Sequence, residues 1–341
     1  VKHYLKKVMD QQDLTFEEMN EASRLMFEPE TSPVQVAGFL SALKTKGESV
    51  GEIAGLVEVI RDKAIQLPID FPGAMDNCGT GGDGSQSFNI STTSAFVMAG
   101  AGMTVAKHGN RSISSKTGSA DVLEALGVKL TATKDEMAHL LSTHGIAFLF
   151  AQHVHPAMKQ VMGIRKSLGV PTIFNLIGPL TNPVKLTTQM VGIYRRDLLE
   201  QMANTLHQLG RKRALVINGA DYMDEASLAG ENFCVLLDRG ELMQFTIKPE
   251  EVGLMSASND TIKGGDAEEN ARILRDVIEG KEGPHRDVVL LNAGLGLFAN
   301  GKAQTVQEGV QLAKESIDSK KALAKLDGLV DFKYDQDVKG R

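Results

Sequence analysis

Between Asp76 and Ser119 the chain carries two loops whose residue types suit a multiply charged anion. The first is Asp76-Asn-Cys-Gly-Thr-Gly-Gly-Asp-Gly-Ser-Gln-Ser-Phe-Asn-Ile-Ser-Thr92, with glycine at 79, 81, 82 and 84. Without a Cβ such a backbone can turn sharply, reach φ > 0 and bring its N–H groups against a ligand. Asn89, Ser91 and Thr92 then open an apolar helix through Ala95–Gly100. Its N-terminus offers unpaired N–H donors and the positive end of a dipole. The second loop, Lys107-His-Gly-Asn-Arg-Ser-Ile-Ser-Ser-Lys-Thr-Gly-Ser119, interleaves Lys107, His108, Arg111 and Lys116 with hydroxyls and glycines. One glycine-rich turn before a helix is most often only a turn. Two loops bracketing a single β-α unit read as a phosphate site. The spacing matches neither Gly-x-x-x-x-Gly-Lys-Ser/Thr nor a Gly-x-Gly-x-x-Gly between strand and helix, so the site is of another kind.

Three further groups invite a chemical reading. Asp221-Tyr-Met-Asp224-Glu225 follows the apolar run Ala214–Gly219, near the C-terminal end of an expected strand, where α/β sheets place ligands. Adjacent carboxylates commonly form a solvated surface pair, and they are also hard oxygen ligands of the kind magnesium takes beside a phosphate. His153-Val-His155 lacks a third metal ligand and reads as cleft lining before Pro156. Cys78, beside the glycine loop, reads as a small buried residue at a tight turn. Cys234 is the other cysteine, and the two provide neither a disulfide framework nor a zinc site.

These loops need elements to hold them. Residues 1–65 read as short helices, with capping boxes at Thr15–Glu18 and at Ser32–Gln35, the second with proline at the first helical position. Val36, Phe39, Leu40 and Leu43, then Ile53, Leu56, Val57 and Ile60, recur at helical spacing. Pro68 and Pro72 mark a linker. Beyond it β-rich and helical runs alternate: Met103–Ala106, Ala120–Leu126, Thr133–Thr143, Ile146–Phe150, Met190–Tyr194, Leu198–Leu209, Ala214–Asn218, Asp266–Ile278 and Val288–Asn292. That alternation argues for an α/β domain around a mainly parallel sheet. A hairpin is expected from Phe233–Leu237 to Leu242–Ile247 through Asp238-Arg-Gly240. Arg165–Pro183 is rich in turn formers yet apolar, and reads as a packed hinge back to the helical part.

Composition sets outer bounds. At 341 residues, 42% hydrophobic and 23% charged, the chain has the make-up of a globular protein and length enough for two domains. A net charge of −6 argues against a nucleic-acid-coating protein. No apolar run reaches the length of a membrane span, and the polar start Val1-Lys-His-Tyr-Leu-Lys-Lys is unlike a signal peptide. The expected compartment is the cytoplasm.

Gly79-Thr-Gly-Gly-Asp83, Ser87-Phe-Asn-Ile-Ser-Thr92 and Lys107-His-Gly-Asn-Arg-Ser-Ile-Ser-Ser115 resemble the signature of the anthranilate phosphoribosyltransferase family, and the likeness spans essentially the whole chain. The resemblance implies a small helical domain over 1–70, joined by 165–185 and forming a homodimer interface. It implies an α/β domain over 71–341 that binds phosphoribosyl pyrophosphate, with the substrate cleft between the two. On this pattern phosphoribosyl pyrophosphate would contact Gly79, Gly82, Asp83, Ser87, Asn89, Ile90, Ser91, Thr92, Lys107, His108, Gly109, Asn110, Arg111, Ser112, Ile113, Ser114, Ser115 and Ser119. Anthranilate would contact Gly79, Asn110 and Arg165, and Mg2+ would sit on Ser91, Asp224 and Glu225. No general acid or base is implied, because an aromatic amine is already neutral at pH 7.

The sequence departs from the family pattern in small ways. Ser87 stands where threonine is common, Tyr222-Met223 where Gly-Leu is frequent, and Val170-Pro171 where many members carry an arginine. Two rivals remain at this point: a pyrimidine-nucleoside phosphorylase of the same fold, and a nucleic-acid-binding relative. The first would carry a different glycine loop, and the second a basic face.

Overall fold

The computed structural model describes residues 1–112 and 116–334. Ile113, Ser114 and Ser115 of the second loop, and the ending Lys339-Gly-Arg, therefore lie outside the described residues. Four helices come first: α1 (Lys2–Met9), α2 (Phe16–Met26), α3 (Pro33–Lys46) and α4 (Val50–Asp62). The expected capping box opens α2: Thr15 Oγ1 accepts the Glu18 N–H at 3.2 Å, and the Glu18 carboxylate accepts the Thr15 N–H at 2.9 Å. The box expected at Ser32 does not form, since the Ser32 side chain makes no cap bond. Pro33 starts α3 instead, with its φ preset and no N–H left to satisfy.

The strands are β1 (Met75–Asp76), β2 (Val105–Gly109), β3 (Ile146–Phe150), β4 (Thr188–Gly192), β5 (Arg213–Asn218), β6 (Asn232–Asp238) and β7 (Glu241–Ile247). They form one sheet in the order β3-β2-β1-β4-β5-β6-β7. All neighbours from β3 to β5 pair in parallel, with Met75 of β1 between Val105 and Thr188. The expected hairpin adds β6 and β7 antiparallel. Its turn residues Arg239 and Gly240 both have positive φ, 51° and 93°, which matches the twist of the strands.

The helices that follow are α5 (Ile90–Gly100), α6 (Ser119–Ala125), α7 (Lys134–His144), α8 (Ala151–Val154), α9 (Lys159–Leu168), α10 (Phe174–Ile177), α11 (Leu199–Gln208), α12 (Ala267–Ile278), α13 (Pro284–Asn300), α14 (Val306–Asp318) and α15 (Lys321–Val330). Buried apolar side chains form two clusters. One lies between the sheet and helices α5, α12, α13, α14 and α15. The other joins Phe39, Leu40 and Leu43 of α3 and Ile53–Ile60 of α4 to Val191, Met202 and Val216. Ile173, Phe174, Leu176, Ile177 and Leu180 belong to this second cluster, so the apolar 165–183 stretch packs against the N-terminal helices.

Two expectations need correction. The strand expected at Met103–Ala106 begins at Val105 and runs on to Gly109, which places Lys107 and His108 inside β2. Val288–Asn292 is no strand but the middle of α13. An apolar run that is buried on every side has no period to separate strand from helix. Pro284 at the first turn and Gly301 at φ 84° past the last were the usable signals. Strand β1, two residues long, is too short to show alternation in the sequence. Among the described residues no helix is long and apolar enough to cross a membrane.

Candidate active site

Parallel strands deliver every candidate loop to one end of the sheet. The glycine loop leaves β1, the cationic loop leaves β2, and Asp224–Glu225 follow β5. Successive connections from β1 run to β2 on one side and, later, to β4 on the other, which opens a crevice at this point of the strand order.

Gly81, Gly82 and Gly84 take φ of 69°, 82° and 74°, the freedom read from the sequence. The loop closes directly on the acidic turn. Gly81 N–H donates to Asp224 Oδ2 at 2.6 Å, and Asp224 N–H donates to Asp83 Oδ2 at 3.3 Å. Gly79 touches the same carboxylate, since a Cβ there would lie 2.6 Å from Asp224 Oδ2. Thr80 N–H donates to the Gly192 carbonyl at 2.9 Å, and Ser85 caps Asp83 Oδ1 with both its N–H and its hydroxyl at 3.0 Å.

Helix α5 begins inside this loop system. Asn89 is its N-cap residue, yet its side chain makes no cap bond. It spans two other elements instead: Nδ2 donates to the Thr117 carbonyl at 3.4 Å, and Oδ1 accepts from Asn270 Nδ2 at 2.9 Å. Asn77 Nδ2 donates to the Ser91 carbonyl at 2.9 Å, and Ser91 lies beside the Glu225 carboxylate and pulls its pKa down. Ile90 and Thr92 are buried, the Thr92 hydroxyl without a partner among the described residues. Ser87 forms an isolated bridge to Lys263, on the rim of the loop.

At the end of β2, Lys107 is buried and Nζ donates to the His108 carbonyl at 2.8 Å. Behind it lies Asp76, fully buried, which accepts from the His108 N–H at 3.2 Å and from Asn182 Nδ2 at 3.0 Å. Burial pushes the Asp76 carboxyl up, against the pull of Lys107. His108 Nε2 meets His155 Nε2 at 3.2 Å, their rings edge to face with centroids 5.2 Å apart. Desolvation pulls His155 down to about 4 and His108 well below the usual histidine range. Both rings are therefore neutral at pH 7.

Gly109 admits no side chain, because a Cβ would lie 2.2 Å from Ser119 Oγ. Ser119 accepts from the Asn110 N–H at 3.1 Å and closes back on the Asn110 carbonyl at 3.2 Å. Arg111, read as a phosphate-facing cation, is committed elsewhere: its guanidinium pairs with Asp121 at 2.7 Å and Glu124 at 2.8 Å on α6. Ser112 N–H donates to Asp121 Oδ2 at 3.2 Å.

Asp224 and Glu225 are half-buried, and with Asp83 they crowd three carboxyls into one corner. Desolvation first, then the charges of Asp83 and Glu225, push Asp224 well up. Desolvation raises Glu225 to about 7, while Lys107 and the Ser91 hydroxyl pull the other way. A cation would relieve that crowding. Among the described residues no cluster of three His, Cys, Asp or Glu is arranged to hold a metal ion. Ser91, Asp224 and Glu225 offer hard oxygens only and leave the other positions to water or a ligand, which fits magnesium.

Arg165 sits on α9, its guanidinium 5.0 Å from the Phe174 ring centroid. Burial lowers its pKa, and no carboxylate lies within ion-pair distance among the described residues. Cys78 is a free thiol, partly buried, whose pKa burial raises to about 12, so it is no nucleophile. Ahead of Asp224, Asp221 and Tyr222 both adopt the left-handed conformation, φ 60° and 61°, at a cost of roughly 1–2 kcal/mol each.

Several residues at the site were not singled out from the sequence. Asp76 and Asn182 read as ordinary polar residues in one dimension, because nothing local announces their burial. Asn270 and Arg196 come from segments far along the chain and carry no local motif.

The profile of the glycosyl transferase family, helical bundle domain, matches residues 2–64, and that of the glycosyl transferase family, a/b domain, matches residues 72–323. The anthranilate phosphoribosyltransferase of Exiguobacterium sibiricum is 58% identical over 338 residues, 99% of this chain and 100% of that protein. The crystal structure of the Thermus thermophilus anthranilate phosphoribosyltransferase superposes with a TM-score of 0.91 at 43% identity, covering 96% of this chain and 98% of that one. The Saccharomyces cerevisiae enzyme, solved in complex with PRPP and Mg, gives a TM-score of 0.88 at 27% identity over 96% of each chain.

Proposed function

The chain belongs to the anthranilate phosphoribosyltransferase family of glycosyl transferases, and we propose that it carries out the family's reaction where the glycine loop, the α5 N-terminus and the carboxylate pair converge. The reaction transfers the 5-phosphoribosyl group of phosphoribosyl pyrophosphate to the amine of anthranilate, giving N-(5-phosphoribosyl)anthranilate and pyrophosphate in L-tryptophan biosynthesis. The observation that carries the siting is the bond from Gly81 N–H to Asp224 Oδ2, with Glu225 next in the chain and Ser91 beside it. It draws loops more than a hundred residues apart in sequence onto one corner. Phosphorolysis of a nucleoside, the rival reading, is set aside on the identity of the relatives.

Ribosyl transfer of this kind passes through an oxocarbenium-like state while negative charge grows on the departing diphosphate. Stabilising that charge and holding two substrates in line are the main tasks. Gly79, Gly82 and Asp83, with Ser87, Asn89, Ile90, Ser91 and Thr92, cradle the diphosphate and ribose in this reading. Lys107, buried and bonded only to a neighbouring carbonyl among the contacts described, supplies the point charge. Asn110, Ser112 and Ser119 contribute donors, and Arg111 takes part through its backbone, its side chain being paired on α6. When magnesium is bound, Ser91, Asp224 and Glu225 would hold it, and it would neutralise diphosphate charge as a Lewis acid.

Anthranilate belongs on the other wall, between Gly79, Asn110 and Arg165. A guanidinium without a carboxylate partner can grip the substrate carboxylate through two parallel bonds. The amine attacks as the neutral base, so neutral His108 and His155 shape the acceptor side without needing to take its proton first. A homodimer through the N-terminal helices and a cytoplasmic setting complete the reading. Val34 on α3 and Met162 on α9 are exposed apolar side chains on helices that pack together, as a dimer face would have.

The direct test follows anthranilate fluorescence on addition of phosphoribosyl pyrophosphate, with and without magnesium. Loss of signal only when both are present supports the reading. Turnover of thymidine with phosphate, and none with anthranilate, would replace it.

A further inference from the structure

Arg196 opens the 3-10 turn Arg196–Leu198 that follows β4, and its side chain meets Asn218, Gly219, Tyr222 and Phe233. Its guanidinium lies between two aromatic faces, 3.8 Å from the ring centroid of Phe233 on β6 and 4.5 Å from that of Tyr222. The edge of the same plane holds backbone and side chain together. Nε donates to Asn218 Oδ1 at 2.7 Å, and Nη2 donates to the Gly219 carbonyl at 3.5 Å. Asn218 is fully buried at the end of β5 and passes the contact on. Its Nδ2 donates to the Ile193 carbonyl at 2.8 Å and to the Met223 carbonyl at 3.4 Å. Gly219 N–H closes the turn on that Met223 carbonyl at 2.8 Å. The next residue is Asp224.

A separate observation points the same way. Asp221 and Tyr222 occupy the left-handed region consecutively, and neither is glycine. Local preference opposes such a turn, so surrounding contacts must hold it. Asn259 Nδ2 anchors Asp221 Oδ2 at 3.0 Å. Tyr222 is 58% exposed, so burial does little for it; its ring face lies on Arg196.

We propose that Arg196 is a positioning residue for the Asp224–Glu225 pair: clasped between Phe233 and Tyr222, it locks the Asn218–Met223 turn in the strained form that presents both carboxylates to the glycine loop. This rests on the reading of that pair as the holder of magnesium with diphosphate. The guanidinium acts through its shape. A planar fork with two stacking faces fits this slot, and an ammonium supplies neither.

The test uses the full chain and the variants Arg196→Lys, Arg196→Ala, Tyr222→Phe and Tyr222→Ala, beside the double variant Asp224→Ala/Glu225→Ala. Outer partners of metal ligands typically change affinity by roughly ten- to a hundredfold when removed. Both Arg196 variants should raise the KM for magnesium phosphoribosyl pyrophosphate by that range and weaken calorimetric binding of magnesium pyrophosphate equally. Their KM for anthranilate should stay near wild type. Tyr222→Phe keeps the ring face and should behave as wild type, with Tyr222→Ala in between. The chain has no tryptophan, so Tyr222→Trp introduces a single indole over Arg196. Its emission should respond to magnesium pyrophosphate but not to anthranilate, and the response should vanish when Arg196→Lys is added. Should Arg196→Ala fail to fold, Arg196→Lys and Tyr222→Ala read the same quantity. Unchanged magnesium-pyrophosphate affinity in these variants, with the double carboxylate variant disabled, overturns the positioning role alone. Parallel loss in both KM values and in melting temperature reduces Arg196 to a structural residue and overturns it as well. Normal affinity in the double carboxylate variant overturns the carboxylate reading and, with it, this proposal.

Discussion

The Asp224 carbonyl oxygen occupies the space where Gly192 would carry a side chain: a Cβ there would lie 1.6 Å from it. Strand β4 and the acidic turn are thus in backbone contact, and no rotamer change can relieve an added methyl. Gly192→Ala should lose about 3 kcal/mol or more in urea unfolding, the upper end of overpacking costs. Gly253→Ala meets open space and only a positive φ of 77°, so it should cost about 1–2 kcal/mol. Equal losses at the two positions would contradict the contact.

Removing the acidic pair should disable catalysis and leave the fold in place. Asp224→Ala/Glu225→Ala is expected to lower kcat/KM by about 10²–10³, the scale of a lost electrostatic stabiliser. Because desolvation and mutual repulsion push both carboxyls up, the variant should melt no lower than wild type without magnesium. A steady-state assay across magnesium concentrations, with a melting curve alongside, reads both effects.

Arg165 should separate the two substrates. Arg165→Ala is expected to raise the KM for anthranilate by roughly 30- to 100-fold, the worth of a charge-assisted bidentate pair, and to leave that for phosphoribosyl pyrophosphate nearly unchanged. Lysine at this position should recover only a small part, lacking the fork. A loss shared evenly between the substrates would place Arg165 outside the acceptor wall.

His155 should make stability depend on acid. Its pKa lies near 4 in the fold, below the ordinary 6.5, so the unfolded chain binds the extra proton first. The contribution is complete above pH 6.5 and is lost as pH falls toward 4, by roughly 3 kcal/mol in all. Raised carboxyls such as Glu225 act in the opposite sense, so the comparison is with His155→Gln. Between pH 7 and 4.5 wild type should lose more unfolding free energy than the variant, and identical slopes would refute the assignment.

Much of this could be read along the chain because it is written locally. The Thr15–Glu18 box, the 238–240 turn and the alternation of strands and helices depend on neighbours a few residues apart. The glycines of the first loop likewise declare a φ that other residues resist. The Ser32 box failed, although the same local pattern is present: the Gln35 N–H donates to the Ser32 carbonyl at 3.0 Å and not to its hydroxyl. Arg111 shows the limit more sharply. Its type announced a cation for phosphate, but Asp121 and Glu124, neighbours on one face of α6, take that charge.

The sequence by itself determined the class of fold, the two loops and the carboxylates available to them, because side-chain type and backbone freedom belong to each residue. Only tertiary structure decided which of these meet. Gly81 reaches Asp224 and His108 reaches His155 because parallel strands carry distant loops to one end of the sheet, and α12 brings Asn270 across to Asn89. Burial is likewise a property of the assembled fold. It makes Asp76 a hidden carboxyl and His155 a neutral ring, since a charge loses its water only when other segments close around it.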